Sequence, residues 1–232
     1  MNYLAIDAST EACSVALQFD GQTFSRYELC PQSHSLLLLP MVDSVLKEAG
    51  CKLAQLDGLI FGRGPGSFTG VRIGVGVAQG LAFAANLKVV GVSTLQAMAQ
   101  RAYAKYSSEN VIAAIDARMS EVYSGFYQLD DKGVMQPSVN ESVLKPQELA
   151  TFLQEMNTQC AIKVGSGWAA YKDELANVKT PSNDVVVEFP HAEDMLVIGH
   201  YAFAEGEAVD AEQAQPVYVR DTVSWKKLPG RE

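Results

Sequence analysis

The chain has 232 residues, of which 48% are hydrophobic and 19% charged, and its formal net charge is -9. This length can bury a substantial core in one large or two modest domains, and the composition is typical of a compact α/β protein rather than a disordered one. The negative charge excludes a protein that holds nucleic acid by itself, because phosphate binding depends on clustered lysine and arginine.

A short buried strand is predicted at 3–6, and a hairpin follows it at 13–29. The bend between them carries the short polar side chains of Asp7, Ser9 and Thr10. Such side chains can bind a phosphate or a metal-bound water, although capping of their own turn is the commoner outcome. We include all three among the candidate nucleotide- or phosphate-binding residues.

Residues 33–49 are predicted to form a helix that Pro40 starts or kinks and that Gly50 ends. Its apolar residues cover far more than one stripe, which suggests that part of the helix faces another chain. A helix sandwiched within its own domain explains the pattern equally well. The residues that we assign to a partner surface on this helix are Leu36, Leu37, Leu39, Val42 and Leu46.

The stretch GRGPGSFTGVRIGVG at 62–76 follows a buried strand at 59–61 and leads into a helix at 71–85. A strand, a glycine loop and a helix start together direct unpaired backbone N–H groups at an anion. The loop is not a Walker motif, because no lysine precedes its hydroxyl residue. The candidate anion contacts here are Gly64, Gly66 and Ser67.

Glycines recur every four residues along this stretch, which predicts that another backbone packs closely against the helix. We assign part of this stripe and its neighbours to the same partner surface, namely Gly70, Arg72, Gly74 and Val77.

A strand at 89–92 and an amphipathic helix at 94–106 complete the first half, and a polar break at 107–110 indicates a lobe boundary. The opening pattern then recurs, because IDAST at 6–10 and IDARMSEVY at 115–123 both place Asp-Ala at the end of a strand. This suggests an internal duplication. If the two lobes face one another, Asp7 and Asp116 flank a cleft, and Arg118 is a further candidate ligand contact.

Later helices are predicted at 146–156 and 194–206, strands at 161–164 and 185–187, and an extended segment at 215–220.

The histidines, at 34, 191 and 200, lack H-x-x-x-H spacing, and the four cysteines, at 13, 30, 51 and 160, form no C-x-x-C pair. We therefore expect no metal site and reduced cysteines in the core of a cytoplasmic protein. No signal segment opens the chain, and its longest apolar stretch is too short to span a bilayer. Because no G-x-S-x-G elbow or Ser-His-Asp set is evident, we expect no catalytic centre.

The motifs IDAST, GRGPGSFTGVRIG, VGVSTLQAMA and IDARMSEVY, in this order and spacing, closely resemble the bacterial TsaB (YeaZ) family. The resemblance covers essentially the whole chain and is strongest over 1–125. It implies an α/β fold of the actin, sugar-kinase and Hsp70 type, in which each of two lobes is a mixed sheet with helices. The lobes would span 1–106 and 107–232, and in this superfold a helix such as 192–206 often packs back on the first lobe.

The resemblance also implies an accessory subunit of the machinery that makes threonylcarbamoyladenosine at position 37 of ANN-decoding tRNAs. Its catalytic relative TsaD carries an H-x-x-x-H metal pair where this chain has Thr94 and Met98, which cannot replace two imidazoles. The implied role is a non-catalytic scaffold that pairs with TsaD.

Further partner and cofactor expectations accompany this role. The resemblance implies that the ATPase TsaE docks on the assembled pair, and the apolar surface of the two helices at 33–49 and 71–85 leads us to expect a homodimer when the chain is alone. The complex would supply the tRNA contact. The chain would have no cofactor of its own, although ATP or ADP would bind in the complex. The alternative hypothesis is a nucleotide-dependent ATPase or kinase that uses Asp7 and Asp116 itself.

Overall fold

The computed structural model describes residues 1–220 with the exception of 157, 159 and 183. Its first sheet has the strand order β3-β2-β1-β4-β5. The hairpin strands β1, β2 and β3 pair antiparallel, whereas β1, β4 and β5 run parallel. These strands are β1 (Tyr3–Asp7), β2 (Ala12–Phe19), β3 (Gln22–Leu29), β4 (Gly58–Gly64) and β5 (Val89–Ser93).

The second sheet repeats this arrangement, with the strand order β10-β9-β6-β7-β8. The strands β6, β7 and β8 again come first in the chain and pair antiparallel. The strands β9 and β10 follow them and run parallel to β6. The matching order confirms the predicted duplication and the two-lobed α/β fold. The strands are β6 (Asn110–Asp116), β7 (Val122–Leu129), β8 (Met135–Leu144), β9 (Ile162–Val164) and β10 (Val185–Val187).

Six α-helices cover the described parts of the sheets in layers. Helices α1 and α2 pack on the outer face of the first sheet, and α6 packs on its inner face. Helix α3 lies between α6 and the second sheet, whose outer face α4 and α5 cover. The helices are α1 (His34–Ala49), α2 (Phe68–Ala85), α3 (Thr94–Tyr106), α4 (Pro146–Glu155), α5 (Gly167–Ala170) and α6 (Ala192–Ala204).

Strand β1 shows how the sequence produces these layers. Leu4 and Ile6 contact the core beneath α1 and α2, whereas Tyr3 and Ala5 point to the opposite face and contact the core beneath α6. Alternate residues of a strand point to opposite faces, so a continuous apolar run is what a strand covered on both sides requires. Each large apolar side chain buried in this way contributes about 1.5–3 kcal/mol.

Local signals place the helix ends. The Ser93 hydroxyl accepts hydrogen bonds from the N–H groups of Leu95 and Gln96 at 3.2 and 3.4 Å and so begins α3. Gly50 ends α1 in the left-handed conformation, with φ at 65°. Pro40 lies within α1, which already begins at His34, so of the two predicted alternatives, a start or a kink at Pro40, the start is wrong.

Strand β8 was not predicted. The segment 215–220 contains neither a helix nor a regular strand, which does not contradict the predicted extended segment. The polar tail that follows lies outside the described residues. Among the described helices, α2 alone is long and apolar enough to cross a membrane, with a mean hydropathy of 1.3, so the expectation that the apolar stretch here is too short is not met by its length. Several of its residues pack into the core of the first lobe.

Candidate functional site

A cleft of about 900 Å³ opens between the lobes, where the carboxyl ends of β1, β4 and β6 meet. One wall is formed by the turn after β1 and the start of α2. The opposite wall is formed by the turn after β6 and by the last described residues of the chain. The predicted residues that border it are Ser9, Thr10, Gly66, Ser67, Asp116 and Arg118, together with Arg72 from the predicted partner surface.

Asp7 lies beneath the cleft and does not border it. Its side chain accepts a hydrogen bond from the Ser9 backbone N–H at 3.0 Å, and the Ser9 hydroxyl bonds both carboxylate oxygens at 3.0 and 2.9 Å. The Thr94 hydroxyl in turn donates to the Ser9 oxygen at 2.9 Å. Burial raises the pKa of Asp7 to about 6, although the hydrogen bonds from Ser9 and the nearby His34 oppose this rise. Asp7 therefore stabilises the turn from beneath the cleft, and its role as a ligand contact stays a prediction.

The glycine loop and the start of α2 lie directly on this turn. The Ser67 N–H donates to the Ser9 carbonyl at 2.7 Å. A Cβ on Gly66 would lie 2.1 Å from the same carbonyl oxygen, and one on Gly70 would lie 2.2 Å from the Ala8 carbonyl oxygen. Both distances are far below van der Waals contact, so these glycines are required by packing within the chain.

Gly64 is also absent from the cleft wall, because it is buried beneath the end of the chain. Its φ is +95°, and a Cβ there would lie 3.3 Å from the Val217 carbonyl oxygen. This conformation is the one that glycine adopts without strain, and a ligand contact at Gly64 stays a prediction.

Arg72 lies at the mouth of the cleft against two aromatic rings. Its guanidinium carbon is 3.2 Å from the centre of the Phe68 ring and 5.0 Å from that of Tyr218. Its Nη1 also donates to the Phe68 carbonyl at 3.1 Å. This stacking holds the cation in place and makes the mouth of the cleft partly aromatic.

On the opposite wall, the Asp116 carboxylate is already bonded within the chain. It accepts hydrogen bonds from the Tyr171 hydroxyl at 2.9 Å, from the Arg118 N–H at 2.9 Å and from Arg118 Nη1 at 3.0 Å. Arg118 Nη2 also lies 3.6 Å from a Glu11 carboxylate oxygen, across the cleft. Arg118 therefore bridges carboxylates of the two lobes, and its charge is offset on both sides.

The closing segment, 209–220, crosses from the first lobe to the second and completes the cleft. The Val217 N–H donates to the Arg63 carbonyl at 2.8 Å, and the Gln79 amide donates to the Ala214 carbonyl at 2.8 Å. At its far end, Arg220 donates to the Ala117 carbonyl at 3.2 Å and pairs with Glu121.

The sequence analysis predicted that QPVYVR is extended, but it did not predict that this closing segment lines the cleft. Other wall residues that it missed are His34, Met119 and Tyr123.

The predicted partner surface is partly exposed and partly core. Leu36 and Leu39 are 74% and 49% exposed on α1, and Phe68 and Phe83 are 62% and 72% exposed on α2. A Cβ on Gly76 or Gly80 would meet nothing within 4 Å. We call this set, Leu36, Leu39, Phe68, Gly76, Gly80 and Phe83, the α1–α2 patch.

Other residues assigned to that surface lie elsewhere. Val42 is 3% exposed in the core, and Gly70 and Gly74 face Ala8 of their own chain, so their assignment to a partner surface is corrected. Leu37, Leu46 and Val77 are partly buried against the same core.

Positions 94 and 98 also belong to the interior. Thr94 is buried with its hydroxyl bonded to Ser9, and Met98 is fully buried between α3 and the second sheet. Neither residue borders the cleft.

Comparison with known proteins gives consistent matches. A family profile described as TsaD, tRNA N6-adenosine threonylcarbamoyltransferase, matches residues 27–226. The tRNA threonylcarbamoyladenosine biosynthesis protein TsaB of Escherichia coli is 49% identical over the full length of both chains. The protein of that name from Haemophilus influenzae is 44% identical over 100% of this chain and 99% of its own. The solved structure of YeaZ from Pseudomonas aeruginosa is 46% identical, covers 94% of this chain and 99% of its own, and superposes with a TM-score of 0.82.

Proposed function

This chain belongs to the TsaB (YeaZ) family of tRNA threonylcarbamoyladenosine biosynthesis proteins, and on that basis we propose that it is the non-catalytic docking subunit of a TsaD-type threonylcarbamoyltransferase. In this proposal the partner transfers the threonylcarbamoyl group to N6 of adenosine 37 in ANN-decoding tRNAs. This chain holds the partner in its active arrangement.

The exposed α1–α2 patch is the observation that carries the proposal. Large apolar side chains on two neighbouring helices are unusual on the surface of a monomer and are typical of a protein interface. The open glycines between Phe68 and Phe83 would allow a facing helix to approach closely. Complete burial of an exposed leucine or phenylalanine contributes about 1.5–3 kcal/mol before the costs of association, and each of these side chains, which are 49–74% exposed, would contribute a part of that.

The interior positions of Thr94 and Met98 support the non-catalytic part of the proposal. A metal pair at these positions would have to replace core contacts of α3. Asp7 and Asp116, the two carboxylates considered for an ATPase or kinase, are bonded to groups of their own chain. An acid that is buried or paired in this way is poorly placed to accept a proton from a substrate.

The same patch would be used in two assemblies. In the absence of the partner, a two-fold homodimer would cover it on both copies, and the TsaD-type subunit would displace this contact. The ATPase TsaE would then dock on the pair, and ATP or ADP would bind in the complex rather than as a cofactor of this chain. The net charge of -9 favours tRNA contact through the partners, in the cytoplasm.

The test compares Leu36→Glu and Phe83→Glu with Phe152→Glu, a control on α4 whose residue is 38% exposed and lies outside the patch. Each variant is mixed with purified TsaD-type partner and TsaE, and complex formation and tRNA modification are measured. We expect the two patch variants to lose both at unchanged melting temperature, because a buried unpaired carboxylate is costly. The control should behave as the parent. Normal pairing by both patch variants would show that the interface lies elsewhere.

The ATPase or kinase alternative has its own measurement. Calorimetry with ATP and magnesium, followed by a turnover assay on the isolated chain, should show no turnover. Turnover that disappears in Asp116→Asn would overturn the non-catalytic proposal.

A further inference from the structure

Two cysteines and a histidine from three separate elements meet beside the cleft. Cys13 lies on β2, Cys30 follows β3, and His34 is the first residue of α1. All three are buried, and their ligand atoms all lie within 4.8 Å of one another. The sequence predicted no metal site because these residues are separated by 17 and 4 positions, a spacing that matches no common motif.

The hydrogen bond of His34 leaves the ring ready to bind a metal ion. Its Nε2 lies 2.7 Å from the Thr10 carbonyl oxygen. A carbonyl can only accept, so Nε2 carries the proton of the neutral ring and Nδ1 keeps its electron pair. Metal-bound histidines almost always donate their other N–H to a carbonyl or carboxylate in this manner.

We propose that Cys13, Cys30 and His34 form a binding site for a zinc ion. Two thiolates and one imidazole are ligands that zinc prefers, at bond lengths of about 2.0–2.3 Å. Ligand atoms of a tetrahedral zinc ion are then roughly 3.5–3.8 Å apart, so each pair of these three donors needs to approach by no more than about 1.3 Å. Two thiolate charges also neutralise the ion, which a buried site requires.

Ordinary packing of cysteines in a hydrophobic core explains the cluster less well than a zinc site does. A buried cysteine often behaves as a small apolar side chain, and Cys51 in the same core is an example because it has no partner of this kind among the described residues. The cluster differs because a polar imidazole is buried with the two sulfurs. Zinc binding would release the two thiol protons to solvent, although burial raises the pKa of Cys13 and therefore opposes its ionisation.

The site would connect β2, the end of β3 and the first turn of α1. Helix α1 also carries Leu36 and Leu39 of the α1–α2 patch, and His34 borders the cleft. Three protein donors leave a fourth position that water from the cleft can fill. The ion would therefore fix the start of a helix whose other face is exposed, whether or not that face is an interface.

The test uses the full chain with Cys51→Ser and Cys160→Ser, which leaves only the two cysteines of the cluster. The reduced protein is titrated with cobalt(II), whose thiolate bonds give a charge-transfer band in the near ultraviolet, and then with zinc. We expect one cobalt ion per chain, the intensity of two thiolate ligands, and loss of the band when zinc displaces cobalt. Zinc should also raise the melting temperature.

Cys13→Ser, Cys30→Ser and His34→Gln in this background should each weaken binding at least tenfold. Absence of the thiolate band in the two-cysteine protein would overturn the proposal. This result does not depend on whether the three ligand variants fold, because the two-cysteine protein keeps all three ligands. Oxidation of Cys13 and Cys30 to a disulfide in place of metal binding, read by mass spectrometry, would overturn it as well. Neither result depends on partner docking, so this proposal and the proposed function can fail separately.

Discussion

At the residue scale, the glycines around α2 fall into two groups that the sequence cannot distinguish. Gly66 and Gly70 press against carbonyl oxygens of their own chain, whereas Gly76 and Gly80 face open space. A repeat of four indicates a small-residue stripe, but it does not say which stripe faces inward. Which glycines face inward depends on the turn after β1, which lies more than fifty residues away in the chain.

This difference gives a matched pair of substitutions within one helix. Gly70→Ala should lower the free energy of unfolding by about 1–3 kcal/mol or more, because its Cβ would overlap the Ala8 carbonyl oxygen. Gly76→Ala should raise it by about 0.5–1 kcal/mol, because alanine favours helix and meets no obstacle. Urea denaturation at a concentration where both are monomeric measures the two values. Equal effects would mean that α2 does not lie on the turn as described.

Asp7 shows the same limit on sequence reasoning. The bend was predicted correctly, and its short polar residues do bond one another. The direction of the Asp7 side chain was not predictable, because it rests against Gly62 of β4, where a Cβ would lie 1.8 Å from a carboxylate oxygen. Only the pairing of β1 with β4 brings these two residues together.

At the element scale, strong periodicity and local end signals led to accurate predictions. The predicted helix 94–106 coincides with α3, whose Ser93 cap and apolar face are both visible in the sequence. Strand β8 was missed because Met135–Leu144 is mostly half-exposed, contains Pro137 and has few β-branched residues. Such a strand is specified by its neighbour β7 more than by its own residues.

The closing segment gives a prediction about one element. Arg220→Met should remove its contacts with the Ala117 carbonyl and Glu121 and loosen the segment at its far end. Amide hydrogen exchange at Val217 should therefore become faster, with little change in melting temperature, because the core is untouched. The control is Lys88→Met, whose partner Asp210 is 62% exposed, since an exposed ion pair contributes little. Unchanged exchange at Val217 in Arg220→Met would contradict this view of the segment.

At the scale of the whole molecule, the first sheet depends on a helix from the far end of the chain. Tyr3, Ala5 and Ile60 on its inner face are covered by α6, which follows all five strands of the second sheet. Gly199 allows this contact, because a Cβ there would lie 2.3 Å from Ile60. The duplicated strand order was suggested by two short motifs, whereas the packing of this helix on the first lobe was expected only from the family resemblance, because it carries no local signal.

The first half should therefore not fold alone. A fragment of residues 1–109 leaves the inner face of its sheet exposed, so we expect no cooperative thermal transition and binding of a hydrophobic dye. The matched control joins residues 189–220 to this fragment through a flexible glycine-serine linker and so restores α6. Cooperative unfolding should return in the joined chain. A cooperative transition in 1–109 itself would contradict the importance of this contact.

The late position of α6 also affects how the protein is made. Strand β5 ends at residue 93, but α6 is complete only at residue 204. At about 5–20 residues per second, the ribosome takes roughly 5–20 s to supply the intervening residues. During that time the nascent first lobe has an uncovered apolar sheet face, which is the kind of surface that chaperones bind during translation.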